Sequence, residues 1–144
     1  MTELYEKSCG AVVFTCSGKN IQYVIVQSLE GYYGFPKGHC EAVETEVETA
    51  LREVWEETGL RVHILPNFRS VDEHPIPQKP GVIKRIVYFL AEYADQKISY
   101  QKEELMNAQL MTFEQAMNAF QWESSKIILS EANDYLSKME INNV

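Results

Sequence analysis

The sequence contains neither long apolar runs nor an excess of basic residues. No stretch approaches the roughly 18 apolar residues needed to cross a bilayer, so no membrane-spanning helix is predicted. Lys and Arg number 13 against 21 Asp and Glu, and the formal net charge is -8. This balance argues against nonspecific binding to DNA, RNA or an anionic membrane, which requires clustered cations. Clustered carboxylates can still bind divalent cations that attract phosphate, so the placement of the acids matters more than their total.

Cysteine is also scarce, and its spacing excludes two classes of site. Cys9, Cys16 and Cys40 are odd in number and form no Cys-x-x-Cys pair, so neither a disulfide framework nor a zinc site is indicated. We expect three reduced, structural thiols. The first residues lack the basic-then-apolar order of a secretory signal, and a cytoplasmic location is therefore expected. The length suits one domain spanning residues 1–144. The oligomeric state is open and compatible with a monomer.

The pattern of apolar residues predicts strands, one helix, further strands and a helical end. Residues 45–58 have helical periodicity, with Val47, Leu51 and Val54 on one apolar face and Gly59 as the stop. Residues 74–81 contain three prolines and are predicted to be a loop. The whole predicts an α/β (α+β) fold, a mixed sheet with helices on its faces. Strands are expected at residues 8–16, 21–27, 62–65, 68–71 and 82–93, followed by a short apolar segment near 105–111 and by helices at 113–119 and 124–138.

Three glutamates of the predicted helix share one of its faces. Glu53, Glu56 and Glu57 are related by i+3 and i+4, so their side chains leave the helix within an arc of about 100°. Like charges at this spacing repel one another, and the C-terminal end of a helix disfavours anions. A bound hard cation removes both costs, and oxygen ligands suit Mg²⁺ or Mn²⁺ better than Zn²⁺. A solvated acidic helix face is the alternative when these three residues are taken alone.

The surrounding segment resembles the signature of the Nudix, or MutT-like, hydrolase family. That signature reads G-x5-E-x7-R-E-U-x-E-E-x-G-U, where U is aliphatic, and all nine defined positions are matched within residues 38–60. The resemblance implies a Nudix fold, a mixed β-sheet sandwiched between helices, over essentially the whole chain. It also implies metal-dependent hydrolysis of a phosphoanhydride bond. The matching residues are Gly38, Glu44, Arg52, Glu53, Val54, Glu56, Glu57, Gly59 and Leu60.

The resemblance assigns roles to these positions. Glu53, Glu56 and Glu57 would be divalent-metal ligands, joined by the Gly38 carbonyl. Glu44 and Arg52 would form an ion pair that braces the loop against the helix, with Arg52 orienting a metal-binding glutamate.

The general base is left open by the sequence. Glu56 or Glu57 could take the proton from the attacking water, but Nudix enzymes often use a glutamate of a later loop. Residues 110–116 resemble the strand and helix start that follow this loop in the family, and their spacing from the loop favours Glu104 over Glu103. Glu104 is then also a candidate metal ligand. Two solvated loop glutamates are the alternative interpretation.

The residues that precede the signature resemble one branch of the family, which cleaves dinucleoside tetraphosphates asymmetrically. The run Pro36-Lys37-Gly38-His39 and a lysine four residues before Tyr88 carry the likeness. It implies ATP and AMP as products from diadenosine tetraphosphate, with Lys37 and Lys84 contacting phosphate. Because Lys84 and Arg85 alternate along a strand, only one can face the site, and Lys84 is favoured. Candidate base-stacking residues are Tyr32, Tyr33, His39 and His74.

Three alternative functions stay open. Another Nudix substrate, such as an RNA 5′ end, a nucleoside triphosphate or a nucleotide sugar, would require the same metal site. A Nudix domain retained as a ligand sensor would lose signature glutamates, which are intact here. A plain acidic scaffold would not be stabilised by Mg²⁺ or Mn²⁺ with a nonhydrolysable dinucleotide.

Overall fold

A computed structural model of the chain describes residues 4–142. Residues 1–3 and 143–144 of the predicted domain lie outside the described part. Eight strands and three helices are present. The strands are β1 (Leu4–Ser17), β2 (Asn20–Ser28), β3 (Tyr33–Gly34), β4 (Lys37–His39), β5 (His63–Ile64), β6 (Ser70–Pro75), β7 (Val82–Glu92) and β8 (Leu105–Met111), and the helices are α1 (Glu46–Thr58), α2 (Phe113–Ala119) and α3 (Glu123–Asn142).

All eight strands belong to one mixed sheet with the central order β3-β2-β1-β7-β5. Strands β1 and β7 are parallel from the Leu4–Val82 pair to the Phe14–Glu92 pair, and the other pairings are antiparallel. β1 pairs with β2 only from Phe14 to Ser17, and its N-terminal half pairs with β4 instead. β1 and β2 therefore diverge, and β4 and its neighbours occupy the space between them.

Helices cover both faces of the sheet, as predicted. Successive residues of β1 alternate between two cores because side chains along a strand point to opposite faces. Val12 belongs to the core that also contains Leu129 of α3. Val13 belongs to the second core, together with Val54 of α1. Within residues 4–142, no helix combines the length and apolarity that a membrane span requires.

Helix α1 has the predicted ends. Thr45 and Glu48 form a capping box at its start, and Gly59 adopts a left-handed φ of 73° at its end. The predicted apolar face is wrong in part, because only Val54 of its three members is buried, whereas Val47 and Leu51 are 38% and 37% exposed.

The buried stripe of α1 instead runs through Ala50, Val54 and Glu57, which are spaced i, i+4, i+7. The face of α1 that packs on the core is therefore rotated from the predicted apolar face toward Ala50 and Glu57. Glu57 consequently lies on the core-facing side of the helix and not at its rim.

The segment around His74 also departs from the prediction. β6 runs from Ser70 to Pro75, so the predicted strand at 68–71 is shifted and the predicted loop begins later. Phe68 precedes the strand and is buried in the α3-side core. Pro75 is tolerated because it is the last residue of β6, where one fewer N–H donor costs little.

Candidate active site

A cavity of about 790 Å³ brings most of the predicted site residues together. It draws its walls from β2, β3, β4, β6 and β7, from the end of α1 and from the start of α3. His39, whose side chain is exposed on β4, does not line the cavity, and neither do Gly38, Glu44, Arg52, Glu53 and Glu56. The predicted residues that line it are Tyr32, Tyr33, Lys37, Glu57, His74, Lys84 and Glu104.

Glu57 is the most deeply placed carboxylate of the site. Its residue is only 9% exposed, and the backbone N–H of Lys37 donates a hydrogen bond of 3.1 Å to Oε1. Burial raises the pKa of the Glu57 carboxyl to about 7, although the Lys37 hydrogen bond opposes this shift. The carboxyl can therefore exchange a proton near neutral pH when no cation is nearby.

Glu53 lies directly against Gly38. A Cβ atom added at Gly38 would overlap the Glu53 carboxylate, so either this carboxylate or the strand would have to shift to admit a side chain here. Burial also raises the pKa of Glu53, while its hydrogen bond from Arg52 lowers it. The glycine thus lets the backbone of β4 approach a carboxylate more closely than any other residue would.

Arg52 connects three of the glutamates. Its Nε donates to Glu44 Oε2 at 2.6 Å and its Nη2 to Glu44 Oε1 at 2.9 Å, so the expected ion pair is present and bidentate. Nη1 donates to Glu53 at 2.8 Å and to Glu56 at 3.2 Å, and Nη2 also reaches the His39 carbonyl at 3.0 Å. The Arg52 guanidinium holds the pKa of Glu44 at about 2. Arg52 therefore holds together the segment between β4 and α1, through Glu44, the end of β4, through the His39 carbonyl, and two carboxylates of α1.

Two lysines, Lys37 and Lys84, also line the cavity. Lys84 Nζ donates to the hydroxyl of Ser8 at 2.7 Å, and burial together with the charge of Lys37 lowers the pKa of Lys84. Arg85 points elsewhere, with its guanidinium 4.0 Å from the Tyr5 ring centre. The strand alternation thus places Lys84, and not Arg85, at the cavity.

Comparison with known proteins identifies this arrangement. Residues 5–131 match the NUDIX domain family. The chain belongs to the Nudix family. The asymmetrical bis(5′-nucleosyl)-tetraphosphatase of Mus musculus is 29% identical over 142 residues, covering 90% of this chain and 95% of that protein. The Sus scrofa protein of the same name is 27% identical over 145 residues, covering 92% and 97%.

The fold of this Nudix protein is also that of a solved relative. The crystal structure of a C. elegans Ap4A hydrolase binary complex superimposes with a TM-score of 0.84 at 20% identity. The superposition covers 92% of this chain and 98% of that one. The predicted Nudix fold is therefore confirmed over nearly the whole chain.

Nudix hydrolases generally use divalent metals, and the residues of this site fit such an ion. The donors are carboxylate oxygens, which hard divalent cations prefer. Glu104 raises the pKa of both Glu53 and Glu57 by repulsion, so the three charges lie close enough to favour a shared counterion. Within residues 4–142, no three acidic, His or Cys side chains already form a metal-binding group. Arg52 instead provides positive charge to Glu53 and Glu56.

Three features of the Nudix cavity were missed by the sequence analysis. The Trp122 and Tyr32 rings are in tilted contact, with centroids 5.4 Å apart and an angle of 45° between their planes. Both residues are about half exposed at the cavity wall. Ser8 holds Lys84, and Asp72 lines the cavity from β6. A lone Trp just before a predicted helix could have flagged Trp122, but Ser8 and Asp72 carry no local signal.

Proposed function

We propose that this protein is a divalent-metal-dependent hydrolase of dinucleoside polyphosphates, which converts diadenosine tetraphosphate to ATP and AMP. The observation that supports this most directly is a single cavity that joins the buried Glu57 carboxylate and the exposed Glu104 carboxylate to two cationic side chains and an aromatic pair. Within residues 4–142, neither Lys37 nor Lys84 forms an ion pair, so both charges are available to a polyphosphate. The names of the mouse and pig relatives point to the same substrate class.

In the proposed mechanism, Glu53, Glu56, Glu57 and the Gly38 carbonyl would hold Mg²⁺ or Mn²⁺, with Glu104 as a further candidate ligand. The bound cation supplies charge neutralisation of the polyphosphate and a lowered pKa for the attacking water. Mg²⁺ and Mn²⁺ accept the same oxygen donors, so their relative efficiency is a matter for measurement.

Side chains of the protein would bind and orient the substrate and accept the proton of the attacking water. Lys37 and Lys84 would bind phosphate oxygens and orient the chain for in-line attack. A water oxygen attacks phosphorus, the bridging P–O bond breaks, and the water proton passes to a carboxylate. Glu104 is our preferred acceptor because it lines the cavity on the turn before β8, while Glu103 does not line it. Glu57 is the second candidate, since its carboxylate also lines the cavity.

An adenine base would stack on the aromatic pair of Tyr32 and Trp122. Stacking on an aromatic ring contributes about 1–3 kcal/mol per base, which corresponds to an effect on affinity of roughly 5- to 150-fold. Tyr33 and His74 line other parts of the cavity and are candidates for the second nucleoside. His39 is exposed near Lys84, whose charge lowers the pKa of His39, so any contact with substrate would be at the cavity rim.

The test is a substrate panel with product identification by chromatography. We expect ATP and AMP from diadenosine tetraphosphate in the presence of Mg²⁺ or Mn²⁺, and no turnover with a chelator. Isotopically labelled water would show which product receives the attacking oxygen. Turnover of nucleoside triphosphates, nucleotide sugars or RNA 5′ ends alone would contradict the proposal and favour another Nudix activity. Our proposal of a cytoplasmic location is tested separately, by cell fractionation.

A further inference from the structure

Two cysteine sulfurs lie in direct contact beneath α1. Cys9 Sγ and Cys40 Sγ are 3.2 Å apart, although 31 positions separate the residues in the sequence. Cys9 is fully buried in β1, and Cys40 is half-buried immediately after β4. A disulfide has an S–S length of about 2.05 Å, so bond formation requires the sulfurs to approach by only about 1.2 Å.

The strand pairing explains why the thiols meet. Cys9 is the register partner of Gly38 in the antiparallel β1–β4 pair. Cys40 is two residues beyond Gly38, so its side chain leaves the same face of the sheet. The N–H of Cys40 donates to the carbonyl of Lys7 at 3.1 Å, which holds the two backbones together at this point. Both thiols therefore point into the α1-side core from adjacent strands.

Cys40 is covalently continuous with the part of β4 that contacts the metal-binding glutamates. His39 accepts a hydrogen bond from Arg52, and Gly38 lies against the Glu53 carboxylate with no spare room. A displacement of Cys40 toward Cys9 is transmitted to both contacts, because His39 is the adjacent residue and Gly38 is only two positions away. The thiol pair thus lies next to the site without belonging to it.

We propose that Cys9 and Cys40 form an oxidisable dithiol, whose disulfide lowers the hydrolytic activity of the adjacent site. The oxidant is a peroxide or a small disulfide. With hydrogen peroxide, the half-buried Cys40 is oxidised first to a sulfenic acid, and Cys9 sulfur then displaces its oxygen as water. Two thiols and one peroxide give one disulfide and two waters. A thiol reductant reverses the reaction by exchange. Disulfides in reducing compartments are usually transient and regulatory, which suits such a device.

The first experiment measures bond formation alone and does not depend on the proposed substrate. The full chain carrying Cys16→Ser is reduced, treated with hydrogen peroxide while folded, alkylated and analysed by mass spectrometry. We expect the intact mass to be lower by two hydrogen atoms than that of the reduced protein before alkylation, and digestion to give a Cys9–Cys40 linked peptide. The matched Cys40→Ser variant should retain an alkylatable Cys9. Stable sulfenic or sulfinic acid at Cys40, or a cross-link formed only in denaturant, would overturn the proposal.

The second experiment measures activity and rests on the proposed function. A misplacement of about 1 Å near reacting groups costs up to about 100-fold in rate, and we expect at least a tenfold fall in kcat on oxidation, reversed by dithiothreitol. The Cys40→Ser and Cys40→Ala variants should keep their activity in peroxide, while Cys16→Ser should respond as the parent does. A cross-linked enzyme with unchanged kcat would overturn the regulatory role. A reduced enzyme without dinucleotide hydrolysis would instead refute the proposed function and leave the mass result intact.

Discussion

The backbone N–H of Lys37 donates a hydrogen bond of 3.1 Å to Oε1 of Glu57, which links β4 to the last turn of α1. This bond satisfies one carboxylate oxygen inside a protein environment where the residue is only 9% exposed. It does not offset the cost of burying the charge, because the pKa of Glu57 still rises to about 7. The metal-free fold therefore contains a carboxyl group that is unfavourable to ionise.

The first prediction is that Glu57 makes the stability of the metal-free protein depend on pH. A raised carboxyl pKa contributes stability that is fully present below the ordinary value of 4.5 and is lost as pH rises through about 7. Glu57→Gln removes this titration. In urea unfolding with a chelator, the variant should gain up to about 3 kcal/mol over the parent between pH 4 and pH 8.

Glu103→Gln is the matched control, since Glu103 is exposed and does not line the cavity. Its unfolding free energy should follow that of the parent at every pH. Parallel pH profiles for the parent and Glu57→Gln would show that the buried carboxyl does not control stability. With divalent metal and substrate, Glu57→Gln should lose most of its activity because it removes a proposed ligand.

The second prediction separates the two loop glutamates. Glu104→Gln should lower kcat by about 10²–10⁴-fold if its carboxylate takes the water proton. Glu103→Gln should retain nearly full activity, because its side chain lies outside the cavity. Steady-state rates at saturating metal, together with kcat as a function of pH, provide the measurement. Equal losses in the two variants, or none in Glu104→Gln, would contradict the assignment of proton transfer to Glu104.

Local pattern, together with the family resemblance, was sufficient for the parts of the site that lie on one segment. Helical periodicity predicted the bounds of α1 and its stop at Gly59, and the resemblance implied the Glu44–Arg52 pair. The helix bounds depend on periodicity and cap chemistry, which the sequence encodes directly. The preference for Glu104 over Glu103 came from the resemblance and its spacing, and Glu104 is the one that lines the cavity.

Contacts between distant segments could not be predicted in this way. Ser8 and Lys84 meet because β1 and β7 pair in parallel across a separation of 76 residues. The contact of Tyr32 with Trp122 likewise requires α3 to reach the β3 side of the cavity. The rotation of α1 toward Glu57 follows from packing against the sheet, so the apolar positions of the helix alone gave a wrong face. Each of these depends on tertiary packing and not on local pattern.

The third prediction concerns the close approach of Gly38 to Glu53. In Gly38→Ala the new methyl group would overlap the Glu53 carboxylate, so either the strand or the glutamate must move. Overpacking of this kind costs about 1–3 kcal/mol. We expect a fall in kcat of at least tenfold and a higher metal concentration for half-maximal activity. Gly34→Ala is the folding control, because a Cβ there meets nothing within 4 Å. Normal metal dependence in Gly38→Ala would contradict the prediction.

The fourth prediction is that Ser8 positions Lys84. The ammonium groups of Lys7 and Lys79 are neutralised by Glu46 and Glu6, respectively. Lys84 instead donates to a neutral hydroxyl that is 1% exposed. A hydroxyl fixes the direction of the ammonium and leaves its full charge for a substrate phosphate.

Replacement of the Ser8 hydroxyl therefore changes the orientation of the Lys84 ammonium without removing its charge. A hydrogen bond to a charged group contributes about 1.5–3 kcal/mol, so Ser8→Ala should raise KM about tenfold while kcat changes less. Ser8→Thr restores the hydroxyl and should restore KM. Ser70→Ala removes another buried hydroxyl, one that bonds Glu131 away from Lys84, and should leave KM unchanged. If Ser8→Ala and Ser70→Ala change KM alike, the effect reflects general packing. If the KM change is confined to Ser8→Ala and is reversed by threonine, the pairing of β1 with β7 sets the position of the phosphate-binding cation.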